Sequence, residues 1–317
     1  MTKGVPAALN NQKNALNTTF RQLSELIRQD LGCRGFAGII ATDDMEQAAN
    51  SLMTSKRVLI VTGFYVIDKM IGETDGPPGA LALAYALSKL GKVVLLVTDR
   101  YSTPLLEVGM SCYQRVFNMA EIPADQQRAN VCLKRILDDF KPDHIVSIER
   151  PGQAADGHCY SMRGEQLSLT IPVLDILFTA SAKSDTRTIA IGDGGNELGM
   201  GGAYDLIKTH VPLGEKIGCV TPADFLIPAG VSNWAGYGLA AALSLLSGLR
   251  LLPEAETEVC VLKRMVRIGA VDGCTKRNEL SVDGIPFTQY LSIIHQIYQL
   301  IAPASGNDSK TERMTCS

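Results

Sequence analysis

The sequence predicts an α/β protein with a doubly wound, mostly parallel sheet and helices on both faces, a Rossmann-like three-layer arrangement. Two observations lead to this prediction. Short, continuous apolar runs recur along the chain, and segments with helical periodicity lie between most of them. Continuous β-branched runs are typical of strands buried on both faces of a parallel sheet. Strands that alternate with helices form right-handed βαβ units, which places helices on both sides of that sheet.

The first predicted element is a helix over residues 20–31, since Leu23, Leu26 and Ile27 recur at helical spacing and Gly32 follows. The apolar runs predict strands at 57–63, 92–98, 143–149, 187–192 and 224–229. Helical periodicity predicts helices at 78–90, 124–140, 172–182, 196–210, 234–247, 258–268 and 286–301.

One α/β domain over residues 20–302 is predicted, because that stretch contains neither a long linker nor an internal repeat. The polar segments 1–19 and 303–317 are expected to be flexible. The chain has 30 basic and 33 acidic residues, so its net charge of −3 argues against nucleic acid or a membrane as partner. A small-molecule amino-acid substrate is the expected partner, and oligomerisation is left open.

The eight cysteines are scattered and form no CxxC pair, so inert thiols are expected rather than a zinc knuckle or a disulfide framework. No apolar run approaches the roughly 20 residues of a membrane span. Residues 1–17 resemble neither a signal peptide nor an arginine-rich transit peptide. The expected location is the cytoplasm, or the mitochondrial matrix if a eukaryotic precursor carries a separate transit peptide.

Polar residues follow the predicted strands, where the carboxyl ends of parallel strands meet at one ligand-binding edge. We therefore expect a set of charged and amide side chains to converge there: Glu73, Asp75, Asp99, Glu149, Arg150, Asp193, Asn196 and Glu197.

The turn at residues 72–79 is expected to lead into a helix, because Pro77 and Pro78 preset the backbone for a helix start. The unpaired N–H groups of that helix could seat a carboxylate or phosphate. Glu73 and Asp75 within the turn are candidate site residues, and solvated loop charges are the alternative.

Arg150 directly follows a predicted strand, and its planar guanidinium suits a substrate carboxylate. An internal salt bridge is the alternative role for this residue. Asp156 and His158 begin a long loop that also contains Arg163 and that could fold over a ligand, although a lone histidine in such a loop is more often exposed.

The glycine-rich stretch 192–202 is not a dinucleotide fingerprint, because Glu197 occupies the position of the third glycine. No Walker sequence occurs either, so an ATP site is not indicated. Asp193, Asn196 and Glu197 suit a substrate ammonium or a hard divalent cation. Asp193 and Glu197 are accordingly the candidate metal ligands, for Mg²⁺ or Mn²⁺, although no cofactor is expected to be required.

Taken together, these stretches resemble the D-glutamate cyclase-like family. The resemblance rests on ordered matches at residues 62–64, 73–79, 97–99, 148–152, 156–157, 162–164, 191–201 and 231–234. It implies ring closure of D-glutamate to 5-oxo-D-proline with loss of water, a hydro-lyase reaction that works without ATP. Two other functions are kept as alternatives: a metal-dependent phosphate-ester or nucleotide hydrolase, and a non-catalytic amino-acid sensor.

Lactam formation requires a general base, an acid for the γ-carboxyl group and an anchor for the α-carboxylate. The candidate catalytic residues are Glu73, Asp75, Glu149, Asp193 and Glu197. The candidate substrate-binding residues are Thr62, Gly63, Gly76, Asp99, Arg150, Asp156, Asn196, Ser232 and Asn233.

Overall fold

A computed structural model describes residues 7–32, 35–40, 43–113, 115–182 and 184–302. Within these ranges the strands are β1 (Arg57–Thr62), β2 (Tyr65–Val66), β3 (Ile71–Gly72), β4 (Val93–Asp99), β5 (Asn118–Ile122), β6 (His144–Ile148), β7 (Arg187–Gly192), β8 (Phe225–Pro228), β9 (Ser281–Val282) and β10 (Ile285–Pro286). The helices are α1 (Ala7–Ile27), α2 (Phe36–Ile39), α3 (Met45–Thr54), α4 (Pro77–Lys89), α5 (Thr103–Met110), α6 (Gln126–Phe140), α7 (Ile176–Ser181), α8 (Tyr204–His210), α9 (Gly214–Ile217), α10 (Ser232–Ser247), α11 (Ala255–Arg267) and α12 (Phe287–Ile301).

Six parallel strands form the central sheet in the order β5-β4-β1-β6-β7-β8. In the middle of the sheet, Ile60 of β1 lies beside Leu96 on one side and Val146 on the other. The chain runs from β1 outward to β5, returns to the opposite side of β1, and continues outward to β8. This order confirms the predicted doubly wound sheet and places its topological switch point between β1 and β6.

The sheet is buried on both faces, as the continuous apolar strands predict. Val58 and Ile60 pack in a core with α1, α3, α4, α5, α10, α11 and α12, whereas Leu59 and Val61 pack on the opposite face with α2, α6, α7, α8 and α9. Alternate side chains of one strand therefore contribute to two cores.

Four of the sheet strands lie within the predicted runs and β4 extends one residue beyond its run, to Asp99, but the sequence did not predict β5. In this edge strand only Ile122 is buried, so its sequence lacks a continuous apolar run. The helices α3 and α5 were also not predicted. The predicted helix 196–210 is wrong in its first half, because a 3-10 turn at Gly201–Ala203 precedes α8.

The first helix begins at Ala7 and ends at Ile27, so it starts and ends earlier than predicted. Its buried stripe extends from Ile27 and Leu23 through Phe20 to Leu16, which packs against the same core. Much of the segment predicted as flexible is therefore helical. Residues 303–317, predicted as a flexible tail, lie outside the described residues.

The helices α4 and α10 approach each other closely beside the switch point. A Cβ atom on Gly236 would lie 2.7 Å from the backbone of Gly79, so the contact requires glycine. This packing brings the N-termini of both helices to the carboxyl edge of the sheet.

Cys112 and Cys260 form a disulfide that links the 3-10 turn after α5 to α11. The expectation that all cysteines are inert thiols is therefore wrong for this pair, whose residues are far apart in sequence and meet only through helix packing. Among the described residues, no helix has both the length and the apolar character needed to cross a membrane.

Candidate active site

A cavity of about 340 Å³ opens at the carboxyl edge of the sheet beside the switch point. Four polar residues on its wall are almost completely buried: Glu73, Glu149, Asn196 and Asp283. Aromatic and aliphatic side chains from Phe64 to Ile67 form another part of the lining. A small, largely apolar cavity with a few convergent polar groups is typical of a small-molecule site.

Glu149 directly follows β6 and is held at the switch point by both its backbone and its side chain. Its carbonyl accepts the N–H of Gly63 at 3.0 Å, which joins the ends of β6 and β1. Its carboxyl Oε2 accepts the hydroxyl of Ser232 at 2.6 Å. Burial, together with the nearby carboxylates of Glu197 and Asp75, holds the pKa of Glu149 well above its ordinary value. These surroundings favour the protonated form of Glu149 more than water would.

Asp75, just before α4, caps the start of α10, and Asn233, in the first turn of α10, caps the start of α4. The carboxylate of Asp75 accepts the N–H groups of Ser232 at 2.9 Å and Asn233 at 2.8 Å, at the start of α10. The side-chain oxygen of Asn233 accepts the N–H groups of Gly76 and Gly79, both at 2.9 Å, at the start of α4. Burial raises the pKa of Asp75 to about 8, and the charge of Asp283 adds to the shift.

This reciprocal capping changes the interpretation of the turn at residues 72–79. The N-terminus of α4 was a candidate seat for a substrate carboxylate. Pro77 and Pro78 carry no N–H group, and Asn233 already accepts from Gly76 and Gly79. The Asn233 side chain therefore occupies the place predicted for a substrate carboxylate, and neither Gly76 nor Asn233 is among the described residues that line the cavity.

Glu197 organises the glycine-rich loop after β7. Its two carboxylate oxygens accept the N–H groups of Asp193 at 3.1 Å, Gly194 at 2.7 Å and Gly195 at 2.6 Å. Asp193 in turn accepts the N–H of Ser232 at 3.2 Å. Glu197 therefore holds the backbone of the loop at residues 193–195 in place, because three N–H groups of that loop donate to its carboxylate.

Among the residues that the structure describes, two groups of carboxylates have the spacing needed to hold a metal ion. Asp193 belongs to both groups, once with Asp75 and Asp283 and once with Glu149 and Glu197, and the oxygens of each group lie within 4.8 Å of one another. Carboxylate oxygens suit Mg²⁺ or Mn²⁺. Both groups already accept backbone N–H groups, three at Glu197, two at Asp75 and one at Asp193, so the group of Asp75, Asp193 and Asp283 is a second candidate beside the predicted pair Asp193 and Glu197.

Glu73 and Asn196 both line the cavity and carry side-chain oxygen atoms. A Cβ atom on Gly273 would lie 1.8 Å from Oε2 of Glu73, so the Glu73 carboxylate packs directly against the loop that contains Gly273. The Asn196 amide donates to the carbonyl of Tyr160 at 2.8 Å. Its Oδ1 is buried and has no hydrogen-bond partner within the described part of the chain. Both oxygens are suited to accept hydrogen bonds from an ammonium group.

Arg150 and Asp99 form a buried ion pair. The Arg150 guanidinium is completely buried and also donates to the carbonyls of Gly63 at 3.2 Å and Pro172 at 2.8 Å. Neither Arg150 nor Asp99 is found among the described residues that line the cavity. Arg150 therefore forms the internal salt bridge that the sequence offered as the alternative to binding a substrate carboxylate.

The remaining predicted substrate contacts have different surroundings. Thr62 is fully buried at the end of β1, and Gly63 follows it with a φ of 111°. Asp156 lies on the exposed loop, where it accepts hydrogen bonds from the Tyr160 hydroxyl and from the His158 N–H. The strand-end argument therefore brings Glu73, Glu149 and Asn196 onto one cavity wall and leaves Asp156 at the surface.

Among the described residues, four charged side chains that line the cavity are not among the predicted site residues: Arg163, Glu165, Lys276 and Asp283. Arg163 was noted only as part of a loop that could cover a ligand. Lys276 and Asp283 lie in the segment between α11 and α12, far along the chain from the strand ends. Their position depends on how this segment folds back over the sheet edge, which the local sequence pattern does not indicate.

Residues 23–298 match the model of a family described as D-glutamate cyclase-like, C-terminal. The chain is also similar to the human protein named D-glutamate cyclase, mitochondrial, with 36% identity over 238 residues. This alignment covers 71% of the chain and 39% of the human protein, so the chain corresponds to about two fifths of its relative.

Proposed function

This chain belongs to the D-glutamate cyclase-like family, and we propose that it cyclises D-glutamate to 5-oxo-D-proline with loss of water and without ATP. The observation that carries the proposal is the 36% identity to a protein named D-glutamate cyclase. The cavity supports it, because buried carboxyl groups surround a space of a size suited to a small molecule. We propose that the protein is located in the cytoplasm or in the mitochondrion. The name of the human relative places that protein in the mitochondrion.

The reaction moves two protons. The nitrogen of D-glutamate begins as an ammonium and ends as a lactam N–H, so it loses two protons. The γ-carboxylate loses one oxygen as water, and that oxygen must gain two protons. The N–C bond forms as the C–O bond breaks, and no oxidant or phosphate donor is needed. The site therefore needs a group that can both accept and donate a proton.

Glu149 is the residue we assign to this proton transfer. Its raised pKa, caused first by burial, lets it hold a proton for the departing oxygen and take one back from the nitrogen. The Ser232 hydroxyl donates to one of its oxygens and fixes the orientation of the carboxyl group. Glu73 and the Oδ1 of Asn196 are assigned to the substrate ammonium, which they hold next to Glu149.

A divalent cation is a second part of the proposal. Asp193 with Asp75 and Asp283 would hold it, and when bound it would supply positive charge that offsets the crowded carboxylates. The same feature would serve the alternative phosphate-ester hydrolase, so the substrate test must include that class.

The test is a substrate panel with the purified chain. D-Glutamate, L-glutamate and a set of phosphate esters are incubated separately, with and without added Mg²⁺ or Mn²⁺ and after chelation. We expect 5-oxoproline from D-glutamate and no phosphate release from the esters. Phosphate release without 5-oxoproline would support the hydrolase, and binding of D-glutamate without turnover would support the sensor.

A further inference from the structure

The cavity is electrically polarised. Its buried wall carries the carboxyl groups of Glu73, Glu149 and Asp283 and no cation among the described residues, whereas the cations Arg163 and Lys276 lie on the more exposed side together with Glu165. An amino acid with two carboxylates carries the complementary pattern, with one positive and two negative groups. Opposite charges at the two sides of a cavity fix the orientation of such a ligand.

We propose that Lys276 binds a carboxylate of the substrate, with Arg163 beside it as the second cation, so that the cavity selects α-amino dicarboxylates. This inference deepens the proposed function and rests on it. It replaces Arg150 as the carboxylate anchor, because the Arg150 guanidinium is completely buried against Asp99.

The loop that carries Lys276 is held in place without the lysine side chain. The carboxylate of Asp272 accepts the N–H groups of Cys274, Thr275 and Gly284 at 2.7 to 2.9 Å. The backbone N–H of Lys276 also donates to the Asp272 carbonyl at 2.8 Å. These backbone contacts fix the position of the Lys276 Cα atom. The Lys276 ammonium is therefore not needed to hold the loop.

The contacts of the Lys276 ammonium are exchangeable. It lies 2.8 Å from Asp68 and 3.3 Å from Glu165, whose side chains are 59% and 34% exposed. The Lys276 side chain itself is 20% exposed, but water reaches the Asp68 carboxylate and screens its pair with the ammonium, so a substrate carboxylate can share or replace that contact. Interaction with Asp68 also raises the pKa of Lys276, which keeps the ammonium charged at neutral pH.

Arg163 is tied to the same loop. Its guanidinium donates to the carbonyl of Cys274 at 2.6 Å, two residues before Lys276. Because a guanidinium has five N–H donors, this bond leaves others for a ligand. The loop at residues 272–276 carries Lys276 and also holds the Arg163 guanidinium through the Cys274 carbonyl. A substrate with two carboxylates can therefore contact both cations.

The test compares Lys276→Met with Arg277→Met. Arg277 is the next residue of the same loop, it pairs with Glu279, and it does not line the cavity. The first readout is the Kd of glutarate, a dicarboxylate without an ammonium, measured by calorimetry. The second readout is the split between KM and kcat for D-glutamate. We expect Lys276→Met to raise both Kd and KM at least about tenfold with a smaller change in kcat, and Arg277→Met to leave both within about twofold.

A third variant, Glu165→Gln, tests whether Lys276 binds the substrate or only forms an ion pair that holds the loops together. It removes a carboxylate that competes for Lys276, so glutarate should bind as tightly as before or more tightly. The inference is overturned if Lys276→Met leaves Kd and KM unchanged, or if Glu165→Gln weakens glutarate binding as much as Lys276→Met. If the wild-type chain makes no 5-oxoproline, the proposed function fails, and the glutarate Kd values still decide the role of Lys276.

Discussion

Replacing Arg150 by lysine should lower the stability of the protein far more than its affinity for substrate. The guanidinium is completely buried and contacts the Asp99 carboxylate and the carbonyls of Gly63 and Pro172. A lysine ammonium keeps the charge but cannot reach three acceptors arranged around a planar fork. Each buried carbonyl left without its donor costs about 1–3 kcal/mol. We therefore expect Arg150→Lys to lower the free energy of unfolding by about 2–5 kcal/mol.

Urea unfolding measures this change directly. The single tryptophan, Trp234, is completely buried and stacks on Tyr290, so its fluorescence reports on the folded core. The matched control is Arg187→Lys, because the ion pair of Arg187 with Asp224 is largely exposed and should change stability by less than about 1 kcal/mol. An Arg150→Lys protein with unchanged stability and a KM raised tenfold would refute this reasoning and return Arg150 to the role of substrate anchor.

Two further predictions concern the carboxylates around the cavity. In the metal-free protein the pKa of Asp75 is raised from 3.8 to about 8, so after chelation the folded protein keeps a proton that the unfolded chain releases, and stability should fall as the pH rises through this range. Asp75→Asn should flatten the slope of unfolding free energy against pH between 5 and 8; an unchanged slope would contradict the assignment. Gly273→Ala would place a methyl group against Glu73 and should reduce turnover at least about tenfold, whereas Gly202→Ala, whose added Cβ meets nothing within 4 Å, should retain activity in the same assay. Equal activity of the two alanine variants would show that the position of Glu73 does not matter.

The architecture could be predicted because burial on both faces leaves a direct signal in the sequence. The run at β1 is continuously apolar, and both of its neighbours in the sheet have the same character. Since residues that follow parallel strands share one edge, Glu73, Glu149 and Asn196 could be placed together before the structure was known. The edge strand β5 gives a weaker signal, because neither of its faces is fully covered and only Ile122 is buried.

The direction of individual side chains could not be predicted. Arg150 and Glu149 are neighbours in sequence, yet Glu149 lines the cavity and Arg150 points into a buried ion pair. The left-handed φ of 47° at Glu149 reorients the backbone at this point, and no local pattern indicates it. Lys276 follows no sheet strand, so the strand-end argument does not include it, although the loop organised by Asp272 carries it to the cavity.

The central claim is that this chain closes the ring of D-glutamate with Glu149 as the proton-transfer group. The most direct measurement is the rate of 5-oxoproline formation from D-glutamate by the wild-type chain, Glu149→Gln and Glu258→Gln. Glu258 is the matched control, because it is also a buried glutamate, with a pKa raised to about 7, but it bonds Tyr237 and Tyr290 outside the cavity. We predict a fall of about 100-fold or more for Glu149→Gln and near wild-type turnover for a folded Glu258→Gln. Wild-type turnover by a folded Glu149→Gln protein would contradict the account.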